Sequence, residues 1–149
     1  MFINSDLIFI GLITYLIGSI PFGLLVSKFA KQEDPRMVGS KNIGATNLLR
    51  IGGWKLGFLT LILDVTKGFI PIYLINIYNK EEFLGIAILS IILGHLYPIW
   101  LKFRGGKGIA ALIGILMAYN LNLFYIFTFT WLFCSIILKN VHSIQYNSF

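Results

Sequence analysis

Apolar runs of membrane-spanning length, separated by short polar segments, constrain this chain more than any other feature. The first run extends roughly from Leu7 to Ala30 and the second from about Lys55 to Tyr78. Each matches the ~20 residues needed to cross a hydrocarbon core. A third runs from about Phe83 to Leu101. The stretch from Ile109 to Leu138 exceeds one untilted crossing, and Tyr119-Asn120-Leu121-Asn122 in its middle predicts a turn. That gives a short fourth span and a fifth from about Leu123 to Leu138. Pro21, beside Gly18, Ser19 and Gly23, predicts a kink in the first span, because proline frees a carbonyl one turn earlier. A soluble domain carries about a quarter charged residues; this chain has 12% charged and 57% hydrophobic residues, too little polar surface to cover itself in water. The expected fold is an all-α polytopic integral membrane protein of about five transmembrane helices, a single domain over residues 1–149.

Charge sets the expected topology. The net charge is +6, and the cations stand beside apolar runs, as membrane-flanking positives and candidate anion ligands rather than as a nucleic-acid face. Lys28, Lys31, Arg36, Lys41, Arg50, Lys55, Lys102, Arg104, Lys107 and Lys139 all fall on one side of the proposed spans. Lys80, next to two glutamates, lies on the other, and Lys67 lies within a span. This asymmetry predicts that both loops rich in glycine face the cytoplasm, with the N-terminus outside. The N-terminus lacks the basic region of a cleavable signal peptide, since Asp6 precedes the first apolar run and Lys28 is the first basic residue. The single cysteine, Cys134, lies in an apolar run and is expected to pack against a neighbouring helix.

Two loops carry the candidate chemistry. The polar stretch 31–53 is long for a helical connection, and a short helix is expected near Ala45 to Arg50. Within it, GSKNIGATNLLR gathers Gly39, Ser40, Asn42, Gly44, Thr46, Asn47 and Arg50. Glycines let backbone N–H groups turn toward an anion, the neutral side chains add hydrogen bonds, and arginine grips phosphate with two donors. A plain turn with a helix N-cap uses many of the same residues, and composition does not choose between them. The second loop, KFRGGKG, places Gly105, Gly106 and Gly108 among Lys102, Arg104 and Lys107 at the start of an apolar run. Helix N-termini favour anions. The sequence is not a Walker A motif; a positive-inside anchor needs the cations but not three glycines.

His95, near the end of the third span, suits a phosphate donor, a base or a bond to a neighbouring helix. Asp64 and Lys67 share one face of the second span and are expected to neutralise each other, with the alternative that Lys67 extends toward a bound anion. No Ser-His-Asp or Cys-His arrangement announces a nucleophile, and no cluster of His, Cys or carboxylates announces a metal.

Taken together, GSIPFGLLVSK, DPRMVGSKNIGATNLLR, LDVTKG and GHLYPIWLKFRGGKGIA resemble, in order and spacing, the bacterial membrane glycerol-3-phosphate acyltransferases that use acyl phosphate as donor. The resemblance covers Gly18 to about Ala111. It implies transfer of a fatty acyl group from acyl phosphate to the 1-hydroxyl of glycerol 3-phosphate in the bacterial inner membrane. The products implied are lysophosphatidate and inorganic phosphate, with no metal or organic cofactor and no nucleic-acid partner. It also implies that Ser40 and Arg50 are essential in the first motif, with Asn42, Gly44, Thr46 and Asn47 supporting them. Gly105, Gly106, Lys107 and Gly108 would bind glycerol 3-phosphate, helped by Lys102 and Arg104, with His95 beside them and Lys67 suited to phosphate charge.

Two departures stand out. Lys41 occupies a position where the family usually has glycine. The family also continues with a third cytoplasmic motif, of which NVHSI is a weak echo, so the chain reads as C-terminally truncated. The rival readings are an inactive remnant of such an enzyme and a transporter of organic phosphates; no paired repeats of the transporter kind are present.

Overall fold

The computed structural model describes residues 5–146, which form helices and connecting loops. The order is α1 (Ser5–Gly18), α2 (Phe22–Phe29), α3 (Ala45–Ile77), α4 (Leu84–Leu96), α5 (Ile109–Tyr119) and α6 (Leu121–Tyr146). Single 3-10 turns, Glu81–Phe83 and Ile99–Leu101, bracket α4. Among the described residues, three stretches are long and apolar enough to cross a bilayer, Ser5–Phe29, Ala45–Ile77 and Glu81–Leu101, with Ile109–Tyr119 and Leu121–Ile137 as shorter apolar helices. The exposed large side chains are apolar on every helix, among them Phe9, Phe58, Leu89, Met117 and Phe129, so lipid is the solvent for this surface.

The kink expected at Pro21 is a full interruption. Proline has no N–H and disfavours helical geometry at the residue before it, and α1 ends at Gly18 while α2 begins at Phe22. Ser19 Oγ donates to Leu16 O at 2.7 Å and accepts from Trp100 Nε1 at 2.7 Å. The Ile20 carbonyl, within the interruption, accepts from Lys67 Nζ at 2.8 Å and from Phe22 N at 3.0 Å.

The short helix expected near Ala45 is the first part of α3, which bends at Gly53 (φ 79°, ψ 177°). That conformation is essentially restricted to glycine. The bend lays Leu49 against Gly57 and puts Trp54 at the start of the spanning segment. A Cβ at Gly53 would meet nothing within 4 Å, so Gly53→Ala isolates the backbone effect. It is expected to lower stability in detergent by about 1–3 kcal/mol, read as a fall in thermal midpoint.

Glycines set the helix pairing. A Cβ at Gly18 would overlap the Ile91 backbone, and one at Gly94 would overlap Tyr15 O, so α1 and α4 lie backbone to backbone. Gly68 and Gly114 bring α3 and α5 together in the same way, against Ala111 O and Val65 O. Small residues allow this approach where lipid offers no hydrophobic drive. Both pairs run parallel: Gly11 packs against Ile86 and Gly18 against Ile91, while Gly68 packs against Ala111 and Asn76 Nδ2 donates to Ala118 O at 2.8 Å. Ile72, Ile75, Phe83, Ala87, Ile91 and Ile115 form the core between the pairs.

This packing makes the two ends of the bundle unequal. At the end bearing Tyr78 and Tyr119, α1, α3, α4 and α5 pack side by side. At the other end α4 has stopped at Leu96 and α5 has not begun, leaving α2, the start of α3 and the two loops. The α5 helix opens level with Gly68, roughly 20 Å of helix beyond the bend at Gly53, and its 11 residues reach only ~16 Å. Irregular backbone at such depth is tolerated where it is buried in protein or lines a polar cavity. The turn expected around Tyr119–Asn122 falls at Asn120, whose Oδ1 accepts from Asn122 N at 2.9 Å. The polar segment after Leu138, which showed no pattern, continues α6 to Tyr146, because neither glycine nor proline occurs there to end it. Residues 147–149 lie outside the described residues.

Candidate active site between the two loops

Asn47 organises the first loop. Buried at 1% exposure, it donates from Nδ2 to Pro35 O (2.8 Å), Val38 O (3.1 Å) and Asn42 O (2.9 Å), and its Oδ1 accepts from Ser40 N at 2.9 Å. Gly39, at φ 62°, leaves space that a Cβ would deny to Asn47 Oδ1. Asn42 Oδ1 accepts from Gly44 N at 2.9 Å, closing the turn into α3. Asn42 and Asn47 therefore shape the loop from within, while Ser40, Thr46 and Arg50 are exposed. Thr46 and Arg50 are one helical turn apart and share a face. Lys41 has φ 56°, the left-handed conformation that glycine adopts freely and that costs other residues roughly 1–2 kcal/mol. The backbone keeps glycine's geometry here and adds a cation.

Asn47→Asp retains the acceptor for Ser40 N and withdraws the donors from three carbonyls. It is expected to lower stability by about 2 kcal/mol and to open the 35–44 loop to protease, measured by limited proteolysis against the parent protein.

The second loop folds back onto the end of α4. Gly105 N donates to Leu96 O at 2.9 Å and Gly106 N to His95 O at 3.1 Å. A Cβ on Gly105 would overlap His95 O, and one on Gly106 would overlap His95 Nε2. Lys102 and Phe103 both take positive φ, 51° and 61°, to make the reversal. Gly108, at φ 82°, precedes α5, whose start has no side-chain cap. Free amides for an anion therefore lie in the first turn of α5, beside the exposed Lys107, and not at Gly105 and Gly106 themselves.

The loops meet across an open cleft of ≈ 720 Å³, lined by Arg36, Met37, Lys41 and Ile43 from the first and Trp100, Leu101, Lys102, Arg104 and Gly105 from the second. Lys102, Arg104 and Gly105 are among the residues expected from sequence. Arg36, Lys41 and Trp100 are additions; each was visible as a cation or aromatic in a motif, but only the fold turns them toward one space. Arg36 holds Asp34 through hydrogen bonds of 2.5–3.1 Å, which keep the Asp34 carboxyl below the usual carboxylate range. Trp100 is fixed by Ser19. Ser40 and Lys107 stand exposed on the same two loops, and Arg50 on the first part of α3, without lining this cleft.

His95 and Lys67 are buried deeper, at 5% and 4% exposure. Lys67 Nζ lies 2.9 Å from Asp64 Oδ1, an ion pair whose oxygen is not aligned as a hydrogen-bond acceptor. The ammonium also lies 5.6 Å from the Phe22 ring centroid. Of the two alternatives for Lys67, the structure has the internal pair. Nearer the loop end, Phe22, Leu25, Val26, Phe29, Ala30, Leu56, Leu59 and Leu63 line an apolar groove of ≈ 470 Å³ between α2 and α3.

The family model described as "Glycerol-3-phosphate acyltransferase" matches residues 8–147. Among curated relatives, the glycerol-3-phosphate acyltransferase of Pelagibacter ubique is 46% identical over 126 residues, covering 85% of this chain and 65% of that protein. That of Erythrobacter litoralis is 44% identical over 129 residues, covering 87% and 65%. The chain thus spans about 65% of the length of these relatives. The crystal structure of PlsY, an integral membrane glycerol 3-phosphate acyltransferase, in its glycerol 3-phosphate form aligns with a TM-score of 0.78 at 36% identity, covering 91% of this chain and 67% of that one. The lysophosphatidic acid form gives 0.74 at 35% identity, covering 86% and 64%.

Proposed function

The chain belongs to the glycerol-3-phosphate acyltransferase family, and from that premise we propose that it transfers a fatty acyl group from acyl phosphate to the 1-hydroxyl of sn-glycerol 3-phosphate. The observation that carries this reading is the cationic cleft in which the two loops meet. Relatives of known structure hold glycerol 3-phosphate and lysophosphatidic acid, the acceptor and product of this reaction. The positive-inside asymmetry puts the cleft on the cytoplasmic side of the bacterial inner membrane, with the N-terminus outside.

The chemistry is positional. Two phosphate-bearing molecules repel in water; Lys41, Lys102 and Arg104 in the cleft, with Lys107 on the second loop and Arg50 on the first part of α3, offset that repulsion and align the hydroxyl with the acyl carbon. The hydroxyl oxygen forms a bond to the carbonyl carbon, the carbon–oxygen bond to phosphate breaks, and the departing phosphate takes the hydroxyl proton. The products are 1-acylglycerol 3-phosphate and inorganic phosphate. Ser40 and the amides at the start of α5 supply donors to phosphate or to the developing oxyanion. Asn42, Gly44 and Asn47 hold the first loop, Thr46 presents a hydroxyl on the face it shares with Arg50, and Gly105, Gly106 and Gly108 hold the second loop. His95 and Lys67 support the site from beneath. The apolar groove between α2 and α3 suits the acyl chain. No step calls for a metal or organic cofactor.

The test is direct. The purified full chain in detergent or nanodiscs, given labelled acyl phosphate and glycerol 3-phosphate, is expected to form labelled lysophosphatidate. Folded protein that forms none contradicts the reading and favours an inactive remnant; flux of glycerol 3-phosphate into sealed vesicles without acyl transfer favours a transporter.

A further inference from the structure

Asp64 takes no part in the reading above, yet a carboxylate 3% exposed at membrane depth is costly to keep. A pair with Lys67 would neutralise it and require nothing more. A third group converges on it nonetheless: His95 Nδ1 lies 3.9 Å from Asp64 Oδ1, and both side chains are 4% exposed. His95 Nδ1 has no hydrogen-bond partner among the described residues. The opposite edge of the same ring backs the second loop, because a Cβ on Gly106 would overlap Nε2. The His95 carbonyl also accepts from Gly106 N at 3.1 Å, so one residue holds Gly106 through both its backbone and its ring.

We infer that Asp64 is a positioning residue: facing Nδ1, it sets the orientation of the His95 imidazole, and the ring in turn sets the Gly105–Gly108 loop. The partner of one ring nitrogen fixes how the other is presented. Hydrogen bonds of this kind are often long in unliganded sites and tighten when substrate binds. Lys67, bonded to Ile20 O, ties the same junction to the break between α1 and α2. The break between α1 and α2, α3, the end of α4 and the second loop are therefore linked through the Asp64, Lys67 and His95 cluster. The substrate consequence rests on the acyltransferase reading; the mechanical tie does not.

Asp64→Leu combined with Lys67→Met removes both charges, and the acceptor that faces His95, at nearly constant volume, which a purely neutralising pair would tolerate. In the full chain in detergent, hydrogen exchange across residues 103–108 is expected to quicken roughly tenfold, with α1 and α3 unchanged, and the KM for glycerol 3-phosphate to rise roughly tenfold at constant KM for acyl phosphate. His95→Asn, which withdraws the ring from Gly106, is expected to do the same. His95→Gln, which restores the reach, is expected to return both readouts toward the parent values. Parent-like exchange at 103–108 in the folded double variant, or a Gln variant as impaired as Asn, overturns the inference. If the double variant does not fold, Asp64→Glu, which keeps the charge beside Lys67 but displaces the carboxylate from His95 Nδ1, decides by the same exchange readout. If the parent protein forms no lysophosphatidate, the functional reading fails alone and exchange still decides the tie.

Discussion

Gly105→Ala is expected to reduce lysophosphatidate formation about a thousandfold, equivalent to ~4 kcal/mol in the barrier. The added methyl would overlap His95 O and crowd Leu96 O at 2.7 Å and Pro98 Cδ at 2.6 Å. Two of these are backbone atoms at the end of α4, which have no rotamer to escape through. Relief requires the loop to lift off α4, breaking the bond from Gly105 N to Leu96 O and carrying Arg104 and Lys107 away from the first loop. A reacting pair displaced by about 1 Å already forfeits a large part of its advantage. Initial rates at saturating acyl phosphate, with folding checked by thermal unfolding, provide the measurement. A folded Ala variant at parental rate would show that the close approach of loop and helix is irrelevant to turnover.

Lys107→Ala is expected to lower kcat/KM for glycerol 3-phosphate by about a hundredfold, equivalent to ~2.7 kcal/mol of transition-state binding. Lys107 is exposed beside the uncapped start of α5, and the proposed function has its ammonium and the first-turn amides share one phosphate. A hydrogen bond to a charged group contributes about 1.5–3 kcal/mol, and a buried phosphate left without its counter-ion loses more. Lys107→Arg should recover part of the loss, since it keeps the charge and alters the geometry. Steady-state kinetics in both substrates separate the effects: the change should fall on glycerol 3-phosphate more than on acyl phosphate. Unchanged constants would remove Lys107 from the site.

The sequence made the membrane architecture legible because hydrophobic runs and cation asymmetry report directly on the bilayer. Pro21 and Asn120 marked two of the places where helices stop, since missing donors and side-chain acceptors act locally. The glycines were legible as special but not in their roles. Gly53 serves a backbone angle, Gly105 and Gly106 a close approach to His95, and Gly108 the start of α5; composition alone looks alike in all three cases. Asn47 read as a ligand candidate, although its amide group is occupied within the loop. That distinction depends on contacts up to 12 residues apart, which local pattern does not encode. Depth was also hidden: short α4 and α5 place the loops inside the bundle's footprint, a consequence of glycine-to-backbone packing between distant segments.

The meeting of the two loops on one side of the membrane is the claim on which everything chemical depends. Cysteines at Lys41 and Arg104, which both line the cleft, can be introduced with Cys134 changed to serine. In sealed vesicles, a membrane-impermeant thiol reagent should label both from the same face, a short bifunctional reagent should join them, and glycerol 3-phosphate should slow the joining. Labelling from opposite faces, or no cross-link in folded protein, would contradict the account.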